Sequence, residues 1–282
     1  MLNLLLIAAP WFLNAPEPRE MTDRMVPAGY QGNYWGPAAT QAREDGTLPP
    51  IVLTPQMKRW EDWGRKNLRD GDVVFRLGDA RAAGGWFPMS QFLAKVSNSK
   101  FSHTGIVAVE EGEPVVYDTT HTTVARQPFC VWILDNIGNF GVKRLRPDLR
   151  DRAPLVVGFC RDVFVREVPF DYELGLGDDA LYCVEMTEKA FRHAGLKLSD
   201  PVRIGDVEKA EEYPLQLMTI SIASRWVLQE QLTFERAVFC PGNERQGIWA
   251  SNKLQEVVPP TYTPGYPPLG DHGVPQVVLK TD

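Results

Sequence analysis

Two apolar runs, Phe101-Ser-His-Thr-Gly-Ile-Val-Ala-Val109 and Pro114-Val-Val-Tyr-Asp-Thr-Thr120, are separated only by Glu110, Glu111, Gly112 and Glu113. So short a connection between two extended segments restricts the chain to an antiparallel β-hairpin. With Glu111 and Gly112 as a two-residue turn, Thr120 faces His103 and Asp118 faces Gly105. His103 and Asp118 are then diagonal neighbours on one face, about 7–8 Å apart at the backbone, within reach of a carboxylate-to-imidazole hydrogen bond. A register one residue away turns Asp118 to the opposite face and makes His121 the neighbour of His103. The two-residue turn is the commoner hairpin, and a carboxylate stabilises imidazolium better, so Asp118 is the expected orienting group.

A second segment supplies a nucleophile for that histidine. In Asp178-Asp-Ala-Leu-Tyr-Cys-Val-Glu-Met-Thr-Glu-Lys-Ala-Phe191, the positions Val184, Thr187, Ala190, Phe191 and Ala194 recur at helical spacing. Asp178 and Asp179 are N-cap types, and Gly195 is a C-terminal stop. Cys183 thus falls near a helix start, where unpaired N–H groups and the helix dipole favour thiolate, the nucleophilic form. The ordinary alternative is a small buried apolar residue. A base partner needs only to be near in space, so the distance in sequence from His103 to Cys183 is no obstacle.

Together, Gly71-Asp-Val-Val-Phe-Arg76, Phe101-Ser-His-Thr-Gly-Ile-Val107 and Phe170-Asp-Tyr-Glu173 with Leu181-Tyr-Cys-Val-Glu-Met186 resemble the permuted NlpC-type papain-like amidases. The nearest group is YaeF/YiiX, with lecithin:retinol acyltransferase a more distant relative. In that family the histidine strand precedes the cysteine helix, as here. The resemblance covers residues 65–195. It implies an α+β, circularly permuted papain-like fold, with an antiparallel sheet packed against the helix carrying the nucleophilic cysteine. It also implies Cys183 as nucleophile, His103 as base and Asp118 as the third polar residue. Val184-Glu-Met stands where Ser-Glu-Leu is commoner, and Asp118 where glutamate is commoner.

The chemistry expected is acyl transfer through a thioester on Cys183. The backbone N–H of Cys183 is the first oxyanion candidate and Tyr182 the second. Trp86, Phe87 and Trp249 are the substrate-cleft candidates, ordinary core packing being their alternative role. The expected substrate is a cell-wall peptide or a lipid amide or ester, in proximity to a membrane or cell wall. A catalytically silent acyl- or peptide-binding module of the same fold is the other reading. No cofactor and no metal are expected, because His103, Asp118, His121 and Cys183 lack compact ligand spacing. Net charge of −6 argues against a nucleic-acid partner. The sequence leaves the oligomeric state open.

The domain reading follows the composition. Residues 1–15 form an apolar segment with a signal-peptide-like core, which slightly favours export to the periplasm over the cytoplasm. Residues 16–60, rich in proline, glycine and polar groups, read as an extended arm. Residues 61–258 are the catalytic domain, with 65–195 as its core and 196–258 as a C-terminal elaboration. Residues 259–282 read as a proline-rich tail. Phe129–Leu134 and Leu155–Phe159 are short strand candidates, and Pro88–Val96 and Leu215–Leu232 are helices. The second helix has Leu215, Met218, Ile222 and Trp226 as its apolar stripe. Cys130, Cys160 and Cys240 are expected as buried structural residues, with a Cys130–Cys160 disulfide the alternative in an oxidising compartment.

Overall fold

The structure, a computed structural model, describes residues 33–82, 86–120, 122–227 and 232–264. The apolar segment 1–15, residues 16–32 of the arm, His121 and most of the proline-rich tail lie outside the described residues.

Six antiparallel strands form one sheet in the order β4-β3-β2-β1-β5-β8. They are β1 (Val73–Arg76), β2 (His103–Glu110), β3 (Glu113–Thr119), β4 (Val124–Pro128), β5 (Asn139–Leu145) and β8 (Leu254–Tyr262). A separate pair joins β6 (Val202–Arg203) to β7 (Ala237–Val238). The sheet is covered on both faces, which explains why β1 is buried at every position rather than alternating. Val73 and Phe75 point into one core with Ile106, Tyr117, Phe164 and Phe191. Val74 points into the other with Trp60, Val107, Trp132 and Phe140. The first core is closed by helices α5 (Ala153–Val165) and α6 (Cys183–His193), the second by α2 (Pro55–Asn67) and the short α4 (Phe129–Trp132). The chain is therefore α+β, as expected.

The hairpin between β2 and β3 sets the position of everything that matters below. Glu111 and Gly112 both adopt positive φ, 52° and 84°, the conformation a two-residue type I′ turn requires. Ile106 pairs with Tyr117 and Glu110 with Glu113, which carries Gly105 opposite Asp118. A Cβ on Gly105 would lie 2.4 Å from Val116 Cγ1. We therefore expect Gly105→Ala to lower stability by about 1–3 kcal/mol through overpacking. Thermal denaturation checks this, and Val116→Ala added to Gly105→Ala should recover part of the loss.

Several elements differ from the expectation. The 16–60 arm is not extended where it is described: α1 (Pro37–Glu44) and the start of α2 lie within it, and Tyr34, Trp35 and Met57 are buried in the second core. Thr54 caps α2 by accepting from the Met57 N–H at 3.2 Å. The two strand candidates are helices, α4 and part of α5. Val156, Val157, Cys160, Val163 and Phe164 are buried at helical spacing while Leu155 and Val165 are exposed, a periodicity a five-residue window cannot display. All four cysteines are free, and Cys130 and Cys160 belong to cores on opposite faces of the sheet, so no disulfide joins them. Pro259 and Pro260 belong to β8 and not to a tail. They sit on the sheet edge, between the Val142–Val258 and Phe140–Thr261 pairs, where the ladder bulges and no N–H is required of them.

The helix expected from Leu215 is α7 (Pro214–Val227), and α3 (Met89–Val96) is the other predicted helix. Of the expected apolar stripe, Leu215 is 69% exposed and Met218 and Ile222 are also exposed, while the Trp226 side chain lies outside the described residues. Leu217 and Ile220 pack inward, against a third apolar cluster that includes Phe92, Val96, Val207 and Val238.

Candidate active site

Cys183 is the first residue of α6, and His103 the first residue of β2. Asp178 and Asp179 precede the helix and do not cap it; Tyr182 is the N-cap residue. Asp178 instead pairs with Lys189 at 2.8 Å. Glu185, buried in the first turn, accepts the Tyr182 N–H at 3.4 Å, the helix-closing half of a capping box. Burial pushes the Glu185 carboxyl up to about 7, against the Lys189 ammonium that holds it down. At the other end Gly195 takes φ 78°, with Leu196 N–H returning to Phe191 O and Gly195 N–H to Arg192 O. This Schellman closure fixes the helix length.

The helix is fastened to the histidine's strand. Thr104, next to His103, donates its hydroxyl to Cys183 O at 3.3 Å and lies 2.9 Å from the Thr187 hydroxyl. Thr187 in turn donates to Cys183 O at 3.1 Å. The sulfur and the imidazole lie near enough for each to act on the ionisation of the other. His103 Nε2 is 2.8 Å from Asp118 Oδ2, so Nδ1 is the nitrogen left for the sulfur.

Asp118 is 1% exposed and is held by more than the histidine. Trp132 Nε1 donates to its Oδ2 at 2.7 Å, and Gln127 Nε2 to its Oδ1 at 3.4 Å. These donors satisfy a buried carboxylate that would otherwise be costly. Sequence reasoning missed Trp132, Gln127, Thr104 and Thr187. Carrying the hairpin register one strand further puts Gln127 opposite Val116, on the face of Asp118, and so would have found it. Nothing local marks Trp132.

The electrostatics follow from this packing. Burial alone would raise the Cys183 thiol, but the charge of His103, its hydrogen bond, and a backbone hydrogen bond from Thr104 outweigh it, and the pKa lies below the usual thiol value. Burial would lower His103, but the Cys183 charge and the hydrogen bonds to Asp118 and Cys183 raise it to about 9. Each group favours the ionised form of the other, the arrangement of a thiolate–imidazolium pair.

This pair lies on the wall of a cavity of about 1050 Å³. Phe87, Phe92, Leu174, Ile220, Phe234 and Phe239 are among its lining side chains, and Arg76, Asp118 and Asp135 are among the polar ones. Of the cleft candidates, Phe87 lines the cavity. Trp86 is 79% exposed and does not line it. Trp249 is buried in the first core, its ring 4.9 Å from both Phe75 and Phe101; it fills the interior and is no cleft residue. The Tyr182 hydroxyl accepts the backbone N–H of Phe239 at 2.6 Å, which ties α6 to the segment beyond β7.

No family model matches the chain, and no curated protein is significantly similar to it. Among solved structures it is similar to the metalloprotein YiiX from Escherichia coli O157:H7, DUF1105, with a TM-score of 0.54 and 18% identity. The match covers 68% of this chain and 97% of that one. The likeness to YiiX read from the sequence therefore holds for the fold. That neighbour is described as a metalloprotein. Among the described residues here, no group of three or more His, Cys, Asp or Glu side chains could hold a metal ion. Asp118 already bonds to His103, Trp132 and Gln127, so this donor set does not fit a metal.

Proposed function

We propose that this chain is a cysteine-dependent acyl hydrolase or acyltransferase of permuted papain-like architecture, acting on an amide or ester whose acyl part is a long hydrocarbon chain. The observation that carries the reading is the Cys183–His103–Asp118 constellation opening on a large, mainly apolar cavity. A thiolate with an adjacent imidazolium, itself steadied by a carboxylate, is the apparatus of covalent acyl transfer. The apolar lining favours a lipid chain over a cell-wall peptide, whose polar backbone would lose its water there without replacement hydrogen bonds.

In this mechanism the Cys183 sulfur adds to the carbonyl carbon, forming a C–S bond and a tetrahedral oxyanion. The Cys183 backbone N–H, at the mouth of α6, is the donor to that oxygen. As the C–N or C–O bond breaks, His103 gives its proton to the departing nitrogen or oxygen. Water, or another hydroxyl or amine acceptor, then loses a proton to His103 and attacks the thioester. The fatty acid or the transferred acyl product leaves, and Cys183 and His103 return to their starting state. Asp118 holds the imidazole in the tautomer that presents Nδ1 to the sulfur. The contact of the Asp118 carboxylate with Nε2 supports Asp118 as the orienting group.

A series of p-nitrophenyl esters from acetyl to dodecanoyl tests the substrate class. Each added methylene buried in the cavity contributes up to about 0.8 kcal/mol, so kcat/KM should climb severalfold per two carbons before levelling off. A flat series, together with faster cleavage of short peptides, would remove the lipid reading. Tight binding of long acyl chains with no acylation of Cys183 would instead favour the silent binding module.

A further inference from the structure

At the end of the cavity nearest His103 stands a buried cation that the acyl-transfer mechanism does not use. Arg76 ends β1 directly opposite His103 in the ladder, so the two side chains share a face of the sheet. It is 6% exposed and lines the cavity. Its guanidinium lies 4.3 Å from the centre of the Trp132 ring. Nη1 donates to Trp132 O and lies 3.3 Å from Asp135 Oδ2. Nε is buried and, among the described residues, has no hydrogen-bond partner. Guanidinium carries five N–H donors in a planar fork suited to carboxylate and phosphate. A buried donor left unpaired calls for a partner.

The position of Arg76 says which part of a substrate it would meet. The sulfur enters from α6, on the opposite face of the sheet from Trp132, so the oxyanion forms on that side. His103 delivers its proton to the departing atom, and Arg76 is its cross-strand neighbour on its own face. The leaving group thus emerges beside Arg76, while the hydrocarbon occupies the apolar remainder of the cavity. We propose that the polar end of the cavity is an anion site, in which Arg76 receives a carboxylate or phosphate carried by the leaving group of the acyl substrate. This rests on the acyl-transfer reading of Cys183 and adds to it the charge of the substrate's head.

Three probes with one acyl chain test it: N-dodecanoylethanolamine, N-dodecanoylglycine and N-dodecanoyl-phosphoethanolamine, which carry a neutral, a carboxylate and a phosphate head. Binding is measured on the full chain with Cys183→Ala, and turnover on the unaltered chain. A charge-assisted contact predicts a preference of about tenfold to a hundredfold for an anionic head over the neutral one. The better of the two anionic probes identifies carboxylate or phosphate as the group recognised. Arg76→Gln should reduce the preference to near unity and Arg76→Lys should keep part of it. If Arg76→Gln does not fold, the preference of the unaltered chain decides. Equal binding of all three probes would overturn the anion site, even if all are turned over and the hydrolase reading stands. Tenfold tighter binding of an anionic probe without any acylation of Cys183 would uphold the anion site and defeat the hydrolase reading.

Discussion

Cys183→Ala is expected to lower turnover of a dodecanoyl ester by about 10,000-fold or more, with the fold intact. Removing a covalent nucleophile deletes the only route to the thioester, and the remaining donors give little rate by themselves. The side chain is small and only partly buried, so little packing is lost with it. Circular dichroism and thermal denaturation should therefore barely change. In the unaltered chain, iodoacetamide should label Cys183 with a midpoint below that of a free thiol, because its pKa is lowered. Cys130, Cys160 and Cys240 should stay unlabelled in the folded state, since burial raises each of them. Turnover should rise with pH as Cys183 ionises and fall again near pH 9, where His103 loses the proton it must give to the leaving group. Substantial turnover by Cys183→Ala would defeat the mechanism.

His103→Gln is expected to do nearly as much damage, by two routes. General acid–base catalysis contributes about 100- to 10,000-fold, and that is lost directly. The imidazolium charge is also the largest influence holding the Cys183 pKa down. Without it, burial dominates and the thiol rises above its ordinary value. The alkylation midpoint should therefore move upward, past that of a free cysteine, along with the loss of kcat. A variant that loses turnover while its alkylation profile stays in place would show that His103 does not govern the sulfur. Asp118→Asn should also lower the rate steeply, because the amide keeps one acceptor oxygen for the three donors on Trp132, Gln127 and His103 and no longer fixes the imidazole tautomer.

The site was more legible in the sequence than the fold around it, for a physical reason. The β2–β3 hairpin is local: two residues of turn chemistry fix the register, and the register places Asp118 diagonal to His103. The Cys183 helix is also marked locally, by its apolar spacing and by Gly195. The cysteine and histidine could be matched only through the family resemblance, since their meeting depends on how α6 packs on the sheet. Phe129–Leu134 and Leu155–Phe159 were read as strands because a short apolar run buried on every side carries no period. Trp249, a cleft candidate in the sequence, follows a stretch of turn-forming residues, yet its ring fills the core beside Phe75. Trp132 and Arg76 reach the site through tertiary packing alone, which no spacing rule anticipates. The stripe of α7 is legible as apolar, but Leu215, Met218 and Ile222 on it are exposed, since periodicity reports a face and not its direction.

The threonine bridge between β2 and α6 has a mechanical consequence. Thr104 donates to the Cys183 carbonyl and contacts the Thr187 hydroxyl, so β2 is tied to the first turn of α6 directly beside the reacting pair. Heating should then leave the rate per folded molecule following ordinary Arrhenius behaviour up to the melting transition, with no earlier inactivation. Cutting the bridge by replacing both hydroxyls should uncouple the two events, so that turnover is lost below the melting transition.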